Sequence, residues 1–116
     1  MPGIIDFVYN WNKKLDCDAF TTIRLRNDSK YQVGYEFYIN LKEHNHNTNK
    51  GLFRVADIRY IKLCQINPCL AYLDTGMPVE KAKEAITNFY KNYSPPIDWE
   101  TQELSLILLV KVKTGK

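Results

Sequence analysis

The stretch Gly34-Tyr35-Glu36-Phe37-Tyr38-Ile39-Asn40-Leu41-Lys42 decides how the chain is read. Tyr35, Phe37, Ile39 and Leu41 fall on one side of an extended chain, and Glu36, Tyr38, Asn40 and Lys42 on the other. A strict period of two over nine residues is the mark of a strand with one face in a core and one toward water. Working backward, residues 20–26 alternate in the same way. Thr21, Ile23 and Leu25 share one face, while Thr22, Arg24 and Arg26 share the other. Asn27-Asp28-Ser29-Lys30 between the two runs is a turn cluster.

Working forward, residues 43–51 hold three asparagines and two histidines and read as an exposed hairpin loop. Residues 52–63 are rich in branched and aromatic side chains, but their alternation slips, which predicts a bulge or bend around Asp57. Residues 103–113 form the last strand. Leu104, Leu106, Leu108, Val110 and Val112 line one face, and Ile107 and Leu109 make the other apolar too. This strand is expected to lie inside the sheet with both faces covered.

Two helices precede it. Asn67-Pro68 starts a short one, with asparagine as cap and proline at the first helical position, and Gly76 ends it. Pro78 opens a longer amphipathic helix to about Tyr93, and Ser94-Pro95-Pro96 stops it. Residues 4–15 read both ways, Ile5, Phe7 and Tyr9 as a strand and Trp11 to Leu15 as a helical turn. The expected class is α+β: a small, mixed, mostly antiparallel sheet with two to three helices, forming a single domain over residues 1–116.

Composition narrows the classes of function. At 116 residues the chain can bury one core and not two. Its net charge of +3 is mildly basic and, without clustering, is no nucleic-acid signature. The longest apolar run, residues 104–110, is far below the ~20 residues a membrane helix needs. Met1-Pro2-Gly3 leads quickly to Asp6 without a secretory h-region. Cys17, Cys64 and Cys69 form an odd, unpaired set suited to a reducing compartment. A soluble cytoplasmic domain is the expectation, with no membrane partner and with oligomeric state left open.

Order and motif together resemble the ASCH family of PUA-like domains. The carriers are Thr21-Thr22-Ile23-Arg24 on the first clear strand, then Tyr31 and Gly34 before the next strand. Gly76 before an amphipathic helix ending Phe89-Tyr90, and the apolar closing strand, complete the likeness over about residues 16–113. The resemblance implies a β-barrel-like sheet flanked by helices, a cleft beside the Thr-Ile-Arg strand, and RNA-related roles. One branch of the family hydrolyses the acetyl amide of N4-acetylcytidine with a lysine, a threonine and a glutamate. Thr22 and Arg24 match that motif here. The family lysine falls at Ala19, and the family glutamate at about Thr75, beside Asp74. Lys13, Lys14, Asp16, Asp18 and Asp74 are the nearby groups able to substitute, and only the fold decides which of them reaches Thr22.

The expected function is therefore binding of RNA or a nucleotide. Amide hydrolysis of a modified nucleoside, with Thr22 as nucleophile, and a protein-interaction role are the alternatives. The expected ligand contacts are Thr22, Arg24, Arg26, Arg54 and Tyr60. Arginines at two-residue spacing can grip phosphate oxygens, or they can pair across strands with Glu36 or Asp57. Lys50, Arg54, Arg59 and Lys62 interleave with Phe53 and Tyr60, a mixture that suits single-stranded nucleic acid and equally an ordinary solvated face. His44 and His46 lack a ligand set beyond Glu43, and Cys64 and Cys69 lack a second pair, so no metal or cofactor is expected.

Overall fold

The computed structural model describes residues 2–113. The residues that read both ways form both elements: β1 (Gly3–Phe7) and a 3-10 turn (Trp11–Asp16). There follow β2 (Ala19–Leu25), β3 (Glu36–Glu43), β4 (His46–Lys62), α1 (Pro68–Thr75), α2 (Val79–Phe89) and β5 (Glu103–Lys111). The strands form one sheet in the order β1-β3-β4-β5-β2. β1 runs parallel to β3, and the other pairs are antiparallel.

The expected loop over residues 43–51 is strand instead. Glu43 pairs with His46, leaving His44 and Asn45 alone in the turn at φ 48° and 64°. Two positive-φ residues are what a tight two-residue hairpin demands, and asparagine tolerates that region. β4 therefore runs 17 residues, and its two ends serve different neighbours. Its first half pairs with β3 and its second with β5, with a register slip between Val55 and Asp57 where the alternation falters. An extra residue bends a strand and adds twist, so β4 turns the sheet from one half into the other.

β5 is an interior strand apolar on both faces, as its sequence predicts. Ile107 and Leu109 join Phe7, Phe20, Phe37, Phe53 and Val55 in the larger core. Leu104, on the opposite face, packs with Ile66, Ala71, Ala82 and Ile86 under the helices. Each large side chain fully removed from water contributes about 1.5–3 kcal/mol, which makes Phe53, Ile39 and Ile107, all at most 1% exposed, principal holders of the fold.

α1 begins as read, with the Asn67 side chain accepting from the Leu70 N–H at 2.8 Å. It ends at Gly76, φ 74°. A Cβ there would also come within 3.3 Å of the Asn12 side chain. Gly76→Ala is expected to lower the unfolding free energy by about 1–2 kcal/mol, from left-handed strain plus that contact. Urea denaturation checks it, and a loss near zero would show that the helix end re-forms elsewhere. α2 is shorter than expected, ending at Phe89 with Tyr90 and Tyr93 on the turns beyond it.

β1 and β2 are the two edges, and they are not joined by main-chain hydrogen bonds. The sheet is therefore not closed. The gap between those edges is where the chemistry gathers.

Candidate functional site

A cavity of about 230 Å³ opens between the ends of β1 and β2, walled on its third side by α2 and the turns that follow. The inner face of β2 carries Phe20, Thr22 and Arg24 in succession. Phe20 enters the core, Thr22 is 4% exposed at the cavity wall, and Arg24 reaches across the gap. Its Nη2 donates to the Asp6 carbonyl of β1 at 3.0 Å. Its Nε donates to Thr22 Oγ1 at 3.3 Å, and its guanidinium carbon lies 4.7 Å from the centre of the Phe7 ring. One side chain thus spans the opening that main-chain pairing leaves.

Lys14 comes to the same cavity by an unusual route. Asn12 and Lys13 both adopt left-handed backbone conformations, φ 58° and 52°. Such residues cost on the order of 1 kcal/mol or more each. The Asn12 amide offsets part of that by donating to the Tyr72 and Leu73 carbonyls at 3.3 and 3.5 Å, near the end of α1, where the Tyr72 carbonyl also accepts from the Gly76 N–H at 2.9 Å. The reversal drives Lys14 and Leu15 inward. Lys14 Nζ ends 3.1 Å from Asp74 Oδ1, with side chains only 6% and 3% exposed. Thr21 Oγ1 donates to the same Asp74 oxygen at 2.8 Å.

Thr21 and Thr22 point to opposite faces of β2. They bracket one cluster because β2 is an edge, around which α1 and the 3-10 turn can fold. Burial pushes the Lys14 ammonium below the ordinary lysine value, and the nearby Arg24 charge acts in the same sense, while Asp74 opposes both. Lys14, Asp74, Thr22 and Arg24 line one cavity. A threonine hydroxyl, an amine with a reduced hold on its proton and a guanidinium donor are what acyl transfer needs as nucleophile, base and oxyanion partner.

The rest of the lining is aromatic. Tyr9 and Trp11 stack at 5.6 Å with an 11° angle between rings, and Phe89 meets both edge-on. Tyr90 and Tyr93 continue the wall. Burial pushes the Tyr90 phenol above the ordinary tyrosine value, against the opposing influence of the nearby Leu25 main chain and the Arg24 charge.

Of the residues singled out in the sequence, Thr22 and Arg24 are brought together, while Arg26, Arg54 and Tyr60 lie outside the cavity. Arg26 is held by Asp28 at 2.8 Å and Glu103 at 2.8 Å, with its guanidinium 3.9 Å over the Tyr60 ring. Arg54 pairs with Glu36, Arg59 with Asp57 and Lys50 with Asp16. Arg24 is the one arginine with no carboxylate partner among the described residues. The expectation that Thr22, Arg24 and Arg26 act as one set is thus divided by where the acids sit.

The stacked pair Tyr9–Trp11 and the Tyr90 wall were invisible to pattern reading, which placed Tyr9 on a strand, Trp11 on a helical turn and Tyr90 on a distant helix. Among the described residues no three His, Cys, Asp or Glu side chains cluster as a metal would require. No helix there is long and apolar enough to cross a membrane. No protein-family model, curated protein or solved structure matches the chain.

Proposed function

We propose that the cavity holds a single nucleobase-bearing ligand, a nucleoside or nucleotide, and that the chain is a binding domain of the ASCH, PUA-like kind. In that reading the sheet is a barrel opened at the β1–β2 seam. The carrying observation is the cavity itself: aromatic walls around Thr22, Lys14 and an arginine with no acid to neutralise it. Aromatic faces accept any base ring, at about 1–3 kcal/mol per stack, and a guanidinium without a carboxylate partner suits phosphate or carbonyl oxygen. The cations along β4 support a single site rather than a track for a long strand, because Lys50, Arg54 and Arg59 already have carboxylate partners. Trp11→Ala is expected to weaken nucleoside binding roughly 5- to 150-fold, the equivalent of one stack. Calorimetric titration with the common nucleosides and their 5′-monophosphates measures it, with circular dichroism to confirm folding. Absence of binding by all of them in the unmodified protein refutes the reading.

The buried Lys14 amine favours a second reading, hydrolysis of an acyl amide on such a base. Neutral Lys14 takes the Thr22 hydroxyl proton as Thr22 Oγ1 attacks the acyl carbon, and Arg24 donates to the oxygen that becomes negative. The proton then passes from Lys14 to the departing amine, leaving an acylated Thr22 that water cleaves to the free acid. Asp74 keeps Lys14 in place, and Thr21 keeps Asp74. This set supplies the lysine and acid from positions other than Ala19 and Thr75. Thr75 itself is buried and donates from Oγ1 to the Ala71 carbonyl at 2.7 Å. Conversion of N4-acetylcytidine to cytidine and acetate is the assay. A protein that binds nucleosides and turns over none of the acylated compound leaves the binding reading standing alone.

A further inference from the structure

The unpaired edge of β2 offers the cavity more than side chains. In an antiparallel pair, alternate residues aim both main-chain groups at the partner strand and the residues between aim them away. Asp18 and Arg26 lie just outside the two ends of β2, and both bond to the β5 side. Lys111 N–H donates to the Asp18 carbonyl at 2.7 Å, and Arg26 N–H to the Glu103 carbonyl at 3.2 Å. With Thr22 opposite Ile107 and Arg24 opposite Ser105, the even-numbered residues all face β5. Thr21, Ile23 and Leu25 therefore turn their N–H and C=O groups outward, toward the gap.

Most of the outward-facing groups near the gap are already committed or lie away from the cavity. The Asp6 carbonyl on the facing edge accepts from Arg24. Leu25 does not line the cavity, and its main chain lies beside the Tyr90 phenol. Thr21 lies at the Asp74 end and does not line the cavity. Ile23 does line it, while its side chain packs with the cluster beneath the helices. No turn, loop or side chain among the described residues bonds to its main chain. Ile23 is half-buried, and a main-chain donor and acceptor set side by side at a cavity wall without protein partners are ready to take them from a ligand, so this pair is the most demanding polar feature of the cavity.

We propose that Ile23 N–H and C=O form a two-point reader for the pairing edge of the ligand ring, so that the site takes bases presenting an acceptor beside a donor. The proposal rests on the nucleobase reading above. An extended residue holds its N–H and C=O side by side and parallel, spaced as the N–H and acceptor of a cyclic amide or amidine are. Uracil (N3–H, O4), cytosine (N4–H, N3), guanine (N1–H, O6) and adenine (N6–H, N1) all carry that pattern. The reader therefore selects pairing-edge chemistry rather than one base. Discrimination among bases falls to the aromatic walls.

The test titrates each nucleoside against its analogue blocked on that edge: 3-methyluridine, N4,N4-dimethylcytidine, 1-methylguanosine and N6,N6-dimethyladenosine. 5-Methyluridine and 5-methylcytidine add comparable bulk elsewhere on the ring. Edge-blocked compounds should bind about tenfold or more weakly, because both the ligand and Ile23 lose partners. The 5-methyl compounds should bind like their parents. In nuclear magnetic resonance spectra the Ile23 amide proton should move downfield on binding and exchange more slowly with solvent. Equal affinity for blocked and unblocked compounds overturns the reader and leaves the cavity reading intact. So does an unmoved Ile23 amide while Phe7 and Tyr9 amides shift. Absence of binding by any nucleoside overturns both.

Discussion

Asp74→Asn should lower the unfolding free energy by about 3–5 kcal/mol, a loss characteristic of a buried ion pair deprived of one member. The substitution barely changes shape, so what it removes is charge. Lys14 is then left as an ammonium with its side chain 6% exposed and no acid beside it. It has two ways out: staying charged and bearing the desolvation, or shedding its proton. The second route bounds the cost. Moving a lysine from its ordinary value near 10.4 to neutrality at pH 7 takes about 4.6 kcal/mol, at 1.36 per pH unit.

The same reasoning gives the pH dependence a sign. In the variant the folded chain holds the Lys14 proton more weakly than the unfolded chain does. Between the depressed folded value and the unfolded one the unfolded state therefore binds more protons, and stability rises with pH. The deficit of Asp74→Asn should shrink as pH is raised from 7 toward 10, relative to a variant lacking both charges. Lys14→Met with Asp74→Leu should recover most of the loss, since apolar replacement of a buried pair is often neutral or better. Urea denaturation at two pH values settles all three. A single-variant loss below about 1 kcal/mol would mean that water reaches the pair in solution.

That ion pair marks the boundary between what the sequence discloses and what only the fold does. The strands were legible because period two survives wherever one face is buried, as on β3 and β2. The two-faced β5 announced an interior strand, and the α1 cap was readable from Asn67-Pro68 and Gly76. β4 was read short because asparagines resemble loop. Nothing local reveals that β3 continues to Glu43 and offers residues 46–51 a partner. The site was half legible. Thr22 and Arg24 were found from their motif and their shared face. Lys14 and Asp74 were only two of five possible substitutes, because their meeting depends on two left-handed residues that are stable only once α1 supplies carbonyls to Asn12. A conformation held by a tertiary bond 60 residues away leaves no periodicity to read. The arginines of β2 and its end show the same limit: Arg26 rather than Arg24 is neutralised, by Asp28 and Glu103, while Glu36 and Asp57 are taken by Arg54 and Arg59.

On the proposed hydrolysis reading, Thr22→Val should reduce kcat/KM for N4-acetylcytidine by at least about a thousandfold, equivalent to roughly 4 kcal/mol of barrier. Valine keeps the branched shape of a wall residue that is 4% exposed, so the cavity survives while the proposed attacking oxygen disappears. Arg24 Nε loses an acceptor as well, which should destabilise the fold by about 1–2 kcal/mol. Thr22→Ser restores both hydroxyl functions and should restore most of the rate. A structural role for Thr22 predicts a different pattern, with stability and activity falling together and neither recovered selectively by serine. The pH profile separates the roles further. Lys14 must be neutral to accept the Thr22 proton, so kcat/KM should climb with pH along a limb whose midpoint lies below the ordinary lysine value of 10.5, because burial and the Arg24 charge depress it. Lys14→Arg keeps the positive charge beside Asp74 but cannot serve as the base, so the limb should vanish along with turnover. Activity that persists in Thr22→Val would place the attacking oxygen on water and remove threonine from the chemistry.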